Sequence, residues 1–365
     1  MRKYASLLSG LLAALLLLSA CGAAAHEPAA SSAGASEEAV SAIAPAEPVP
    51  EPEPEPLFLH PLTGLAVEKD LSADRPVAVM LNNLKKALPQ CGISQADILY
   101  EAPAEGGITR MMGVFQSVED VGEIGTVRSA RPYYVELAMG LDAVYLHAGG
   151  SPGAYSIIKK YSVSALDCVN GPYEGTLFWR DPVRRKNAGL EHSVLTSGEK
   201  ITQLFPTYTN LRKTHADGYT APLTFTQDGT PDDGAAAGTI TIRYSNYKTG
   251  VFRYDAESGN YLAEEYGAPY VDGNNGQQVA VRNVLVVQTD VSVISGDTAG
   301  RLNVRLTGTG SGYFACGGKV IPITWSKESQ TAPMYFFDGA GAPLRLGAGR
   351  SYINVVSAKT PVTFE

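Results

Sequence analysis

Apolar and polar positions change rhythm along this chain, and each rhythm predicts a different kind of structure. Residues 7–18 form an apolar run broken only by Ser9 and weakened at Gly10, behind the positive pair Arg2-Lys3. A run this short spans a bilayer poorly, so it predicts the core of an export signal rather than a membrane helix. Over residues 22–56 apolar periodicity disappears into Ala, Ser, Glu and Pro, ending in VPEPEPEP at 49–56. Proline fixes φ and removes the backbone donor, so neither a helix nor a sheet ladder can form there. A disordered, semi-rigid stalk is predicted, reaching roughly 3 Å per residue where polyproline II forms.

Beyond the stalk, buried-looking strands alternate with helix-like stretches. Residues 76–82 (PVAVMLN) and 142–147 (DAVYLH) read as strands covered on both faces, and 133–141 and 154–161 read as helices. That alternation predicts an α/β domain over 57–220. Over 221–365 the texture becomes short, β-branched and aromatic. Strands are expected at 240–244, 251–254, 283–288, 302–307, 313–316, 320–325 and 352–356. Gly/Asn-rich turns at 272–276 and 308–312 separate them, which predicts a mainly antiparallel β (α+β) carboxy-terminal domain without a long helix. The second half shows no repeat of the first.

The apolar run ends in Leu18-Ser19-Ala20-Cys21, the layout of a lipobox, so residues 1–21 read as a lipoprotein signal peptide. Small residues fit a signal peptidase, and the Cys21 thiol would carry a diacylglyceryl group. Each buried acyl methylene contributes about 0.8 kcal/mol, and two or more chains hold a protein stably on a bilayer. The expected location is the extracytoplasmic face of the cell membrane, with lipid on Cys21 as the anchor. A plain secretory signal containing a cysteine is the alternative.

The formal net charge of −8 needs dividing before it is used. Seven glutamates lie in the stalk, and from residue 57 onward 27 basic face 30 acidic residues. That near balance argues against a basic nucleic-acid surface. Cys91, Cys168 and Cys316 form an odd set in an oxidising compartment, leaving at least one free thiol. Buried free thiols are favoured over a Cys91–Cys168 bridge. With no Cys-x-x-Cys and no His-x-x-x-His, neither a metal nor a cofactor is expected.

Four segments could carry chemistry. His147-Ala148-Gly149-Gly150-Ser151-Pro152 takes a strand through two glycines into a helix, with Ser151 typed as its cap and Pro152 as its first residue. Amides at such a helix start suit an anion, although an ordinary capped turn has the same sequence. Arg128 and Arg131 precede another helix that begins with proline, and guanidinium groups bind carboxylate or phosphate bidentately. A salt-bridged loop is the plainer reading. Glu101 and Glu105 flank a turn near Arg110, suited to acid–base work or, more ordinarily, to pairing with arginine. Arg180-Asp181 and His192 complete the set; no Gly-x-Ser-x-Gly elbow accompanies the serines.

These runs together resemble the YerB-like lipoproteins. The likeness rests on RPVAVMLNN, SQADILYEAPAEGGITR, VRSARPYYVELA, DAVYLHAGGSP and FWRD, then on TIRYSNYKTGVFRYD, GRLNVRLTGTGSGYFACGGKVIPITWSK and AGRSYINVV. It extends from His60 to Val356. The resemblance implies two domains of unknown function, the first with the charged motifs and the second rich in β-structure, and it brings no reaction. Residues 191–197 (EHSVLTS) depart from the family's usual Pro-His-Asn-Leu-Tyr-Thr-Ser, keeping His192, and Cys91 stands where serine is usual.

The function expected is binding of an anionic envelope ligand, such as a cell-wall polymer, in an arginine-lined cleft. Arg128, Arg131 and Arg180 would bind charge, with the Gly149-Gly150-Ser151 turn adding amides. Glu101, Glu105, Arg110, Asp181 and His192 would orient them, His147 standing at the cleft. One rival is a wall-active hydrolase or transferase with His147 or His192 as base and Glu105 or Asp181 as its partner. The other is an adaptor for a second envelope protein, its arginines serving only the fold.

Overall fold

The computed structural model describes residues 58–365. The signal peptide at 1–21, Cys21 and the stalk at 22–56 lie outside the described residues. Among those described, no helix is long and apolar enough to cross a membrane.

Residue 58 onward packs as one compact unit around an eleven-stranded mixed sheet. Its middle is built from Asn283–Thr289, Ser351–Ser357, Ile98–Pro103, Thr109–Phe115 and Val77–Asn82, in that spatial order. Val144–His147 and Ala165–Asp167 extend one end in parallel from Val77–Asn82. Gly308–Cys316 and Lys319–Lys327 extend the other end antiparallel. Halves drawn from distant parts of the chain join where Ser351–Ser357 runs parallel to Ile98–Pro103, with Tyr352 opposite Leu99 and Asn354 opposite Glu101. The change of texture near residue 220 is where the chain passes from one side of this sheet to the other. The first side has the expected α/β character, and the second is mainly antiparallel.

Both faces of the sheet are covered, which explains the unbroken apolar runs. Every residue of Val77–Asn82 is buried. Val77, Val79 and Leu81 enter one core; Ala78 and Met80 enter the other. The second core receives the helix Pro132–Gly140, which buries Tyr133, Tyr134, Val135, Leu137 and Ala138. The first core is closed beside the first half by Ile124, Val194 and Ile201, and beside the second by Ile240, Ile242, Phe252, Tyr261 and Ala263. Those last five residues come from strands of a separate six-stranded sheet. Each fully buried Val, Leu or Phe contributes about 1.5–3 kcal/mol relative to exposure. Cys91, Cys168 and Cys316 are buried with free thiols.

Candidate functional site

Three parallel strands, Val77–Asn82, Val144–His147 and Ala165–Asp167, end on the same side of the sheet, at Asn82, His147 and Asp167. Ligand crevices in α/β sheets commonly lie just beyond such carboxyl ends. Here a cleft of about 420 Å³ opens among Arg128, Gly149, Gly150, Tyr155, Arg180 and Glu191. Local sequence builds its wall. Gly149 adopts φ +74°, a left-handed turn for which glycine pays no Cβ penalty. Pro152 then starts the helix Pro152–Lys160, capped by Ser151, whose Oγ accepts from Ala154 N at 3.3 Å. The segment carrying Arg128 is pinned alongside: Arg128 N donates to Met80 O at 2.9 Å, and Ala148 N donates to Arg128 O at 3.0 Å.

The cleft arginines are paired, but loosely. Arg128 Nη2 meets Glu191 Oε2 at 2.6 Å, with the glutamate side chain 69% exposed. Arg180 Nε meets Glu174 Oε1 at 2.9 Å, with Glu174 47% exposed, and its Nη1 donates to Leu190 O at 3.0 Å. The Arg128 guanidinium, by its hydrogen bond and its charge, holds the Glu191 carboxyl below its usual value. Exposed pairs of this kind contribute about 0–1 kcal/mol, so a ligand carrying the same charge can displace the glutamate.

Asp167 is the site residue that the sequence reading missed. Burial raises its carboxyl, but hydrogen bonds from Tyr155 Oη at 2.7 Å and Gly149 N at 2.7 Å prevail and hold it below the ordinary value. The Gly149 amide, expected to face a ligand, is therefore already committed to a carboxylate. The Ala154 amide is likewise taken by Ser151. Asp167 ends the strand beside the one ending at His147, a neighbour relation that only the fold shows.

Other expected residues do not meet in this cleft. His147 is buried beneath it, Nδ1 2.9 Å from Gly149 O, its pKa lowered first by burial. His192 is buried against Asn82, whose Nδ2 donates to Nδ1 at 2.6 Å. Burial, then Lys86 and Arg128, push its pKa down to about 4, so the ring is neutral at neutral pH. Neither imidazole lines the cleft. Asp181 caps the helix Pro182–Ala188 instead, Oδ1 accepting from Arg184 N at 2.6 Å.

Arg131, Arg110 and Glu105 form a second, closed group. Glu105 Oε1 meets Arg110 Nη2 at 2.8 Å and also pairs with Arg131 Nη2, while Oε2 accepts from Arg131 Nε at 3.1 Å. Both arginines are buried. Burial raises the Glu105 carboxyl, yet the two guanidinium groups outweigh it and bring it down to about 2. Arg110 is itself pushed down to about 10, by burial first and Arg131 next. Arg131 was expected to share an anion with Arg128, but its bonding capacity is spent on Glu105 and on Ala130 O.

Glu101 lies in a third group, sealed between the two halves of the sheet. Its Oε1 accepts from Asn83 Nδ2 at 2.9 Å and Thr109 Oγ1 at 2.6 Å, and its Oε2 accepts from Tyr352 Oη at 2.6 Å. Lys248 Nζ is 3.2 Å from Oε1 and also contacts Glu265. Nothing in this group reaches the cleft. Among the described residues no cluster of three or more His, Cys, Asp or Glu converges as metal ligands.

Comparison with known proteins gives a consistent pattern. Residues 62–212 match the family described as "Protein of unknown function (DUF3048) N-terminal domain", and residues 240–353 match its C-terminal domain. The "Putative lipoprotein YerB" of Bacillus subtilis (strain 168) is 34% identical over 305 residues, covering 81% of this chain and 85% of that one. The crystal structure of the YerB protein from Bacillus subtilis superposes with a TM-score of 0.71 at 30% identity. It covers 84% of this chain and 99% of that chain.

Proposed function

This chain belongs to the DUF3048 family, and on that premise we propose that it is a lipoprotein that holds an anionic ligand of the cell envelope in its open cleft. The lipobox at Cys21 and the lipoprotein name of its Bacillus relative support the anchor and an extracytoplasmic position. One observation carries the binding reading. Arg128 and Arg180 line the same cleft, and the one carboxylate each of them pairs with is a glutamate in contact with solvent. A phosphate or carboxylate entering there exchanges a screened surface pair for a bidentate contact in a partly dry wall. Tyr155, Val169 and Leu190 supply apolar surface beside the charge, suited to the body of a sugar or peptide carrying the anion.

The ligand set is therefore smaller than the sequence suggested: Arg128, Arg180, the Gly149-Gly150 turn and Tyr155. Arg110, Arg131, Glu101 and Glu105 act on the fold. A hydrolase or transferase reading with His147 or His192 as base loses that base at the cleft, because both imidazoles are buried outside its lining.

The test is calorimetric titration of the full chain in detergent with polyglycerol phosphate and, separately, with a muropeptide. Binding by one of them should weaken at least tenfold in Arg128→Ala and in Arg180→Ala. If neither probe binds, or if both variants bind as the parent does, the cleft is not a receptor.

A further inference from the structure

The sealed group between the two halves holds more chemistry than an ion pair requires. Lys248 and Glu101 have no exposed side-chain surface, and Glu265 has 3%. Glu101 is fully served by Asn83, Thr109 and Tyr352. By contrast, neither Lys248 Nζ nor Glu265 Oε2 makes a directed hydrogen bond among the described residues, although the two are in contact. The Tyr266 ring covers Nζ at 4.8 Å from its centroid. The two residues sit at the open end of one hairpin. Lys248 immediately precedes the strand Thr249–Asp255, and Glu265 closes the strand Asn260–Glu265, with Gly250 opposite Glu265 in the ladder.

Two carboxylates around one ammonium leave an excess negative charge in a site without water. Burying an incompletely compensated charge costs several kcal/mol by general experience, and the group relieves this by becoming neutral. An amine and a carboxylic acid held in contact in such surroundings have a neutral outcome available that removes both charges permanently.

We propose that Lys248 and Glu265 are joined by an amide bond between Nζ and Cδ, formed in the folded protein with Glu101 carrying the proton. The uncharged Lys248 amine attacks Cδ of the Glu265 carboxylic acid. Glu101 Oε1, 3.2 Å from Nζ, takes the N–H proton and returns it to the departing hydroxyl. One C–N bond forms, one C–O bond breaks, and one water leaves; no oxidant, reductant or further reactant takes part. Burial also lowers the Lys248 pKa, the direction that favours an uncharged nucleophile. The aromatic wall from Tyr266, Tyr270 and Tyr352 keeps solvent from reversing the condensation. The product locks the hairpin with a bond that denaturation does not break.

The bond is read by peptide mass mapping of the full-length chain, purified in detergent, fully denatured and digested. The peptides containing Lys248 and Glu265 should appear as one branched species, lighter than their sum by one water. Lys248→Arg should return two linear peptides, and Glu101→Gln should do the same while leaving both partners in place. Linear peptides at full yield from the parent protein would overturn the proposal and leave a plain buried ion cluster. A branched species that persists in Glu101→Gln would remove Glu101 from the reaction. This outcome is independent of any ligand titration at the cleft.

Discussion

The open cleft and the sealed group use the same ingredients, an acid beside a base, and differ almost entirely in water. At the cleft, Arg128 and Arg180 face glutamates that are about half or more exposed, so Coulomb attraction is screened and the pairs exchange easily. Between the sheet halves, Lys248, Glu101 and Glu265 are dry, and a charge there must be answered by a neighbour or removed. The Glu105–Arg110–Arg131 group lies between these limits, with both arginines buried and Glu105 about one quarter exposed. Charged residues of one type therefore divide into exchangeable surface pairs and fixed buried pairs by solvent access alone.

That contrast can be broken or sharpened by substitution. The largest effect is expected from Lys248→Met, which frees the Glu265 carboxyl beside Glu101 with no nitrogen partner for either and should cost about 3–5 kcal/mol in denaturant unfolding. A loss below about 1 kcal/mol would mean the site is wetter than described. Glu105→Ala comes next, leaving two buried guanidinium groups facing each other, at a cost of about 2 kcal/mol once partial exposure is discounted. The same carboxyl gives a pH signature. Its folded value of about 2 lies below the ordinary 4.5, so its stabilisation is complete above pH 4.5 and is lost as pH falls towards 2. His192 acts in the same direction at higher pH. Its folded pKa of about 4 lies below 6.5, so folding loses stability as pH falls from 6.5 to 4. His192→Gln should flatten melting temperature against pH in that window, and an unchanged slope would show that the imidazole is not neutral and buried as described. The smallest stability effect belongs to Arg128→Ala, under about 1 kcal/mol. A melting curve that collapses with Arg128→Ala would place that residue with the sealed groups instead.

Much of the fold was legible because two physical signals are local. Strands covered on both faces read as continuous apolar runs, as at Val77–Asn82, and the Ser151-Pro152 helix start follows from capping chemistry alone. The site was only half legible. Arg128, Arg180, Gly149 and Gly150 do line one cleft, yet Arg131 differs from Arg128 only in what the fold places over it. Three residues along the chain, it turns into the helix start and towards Glu105. Lys248 and Glu265 carried no signal, since the sequence YKTGV looks like any exposed turn. Their burial follows from a second sheet packing over Glu101, a contact between segments far apart in the chain. Asp167 was hidden for a simpler reason: a lone aspartate ending a three-residue strand has no motif around it.

The parallel seam between Ser351–Ser357 and Ile98–Pro103 has a consequence for the order of assembly. A chain leaving the ribosome amino terminus first delivers Ile98–Pro103 long before its neighbour exists. Until the final segment arrives, that strand is an unpaired edge of the kind that recruits foreign strands. The last few dozen residues thus act as the closing stave, and a truncation that removes them should yield an aggregating remnant rather than a working amino-terminal half.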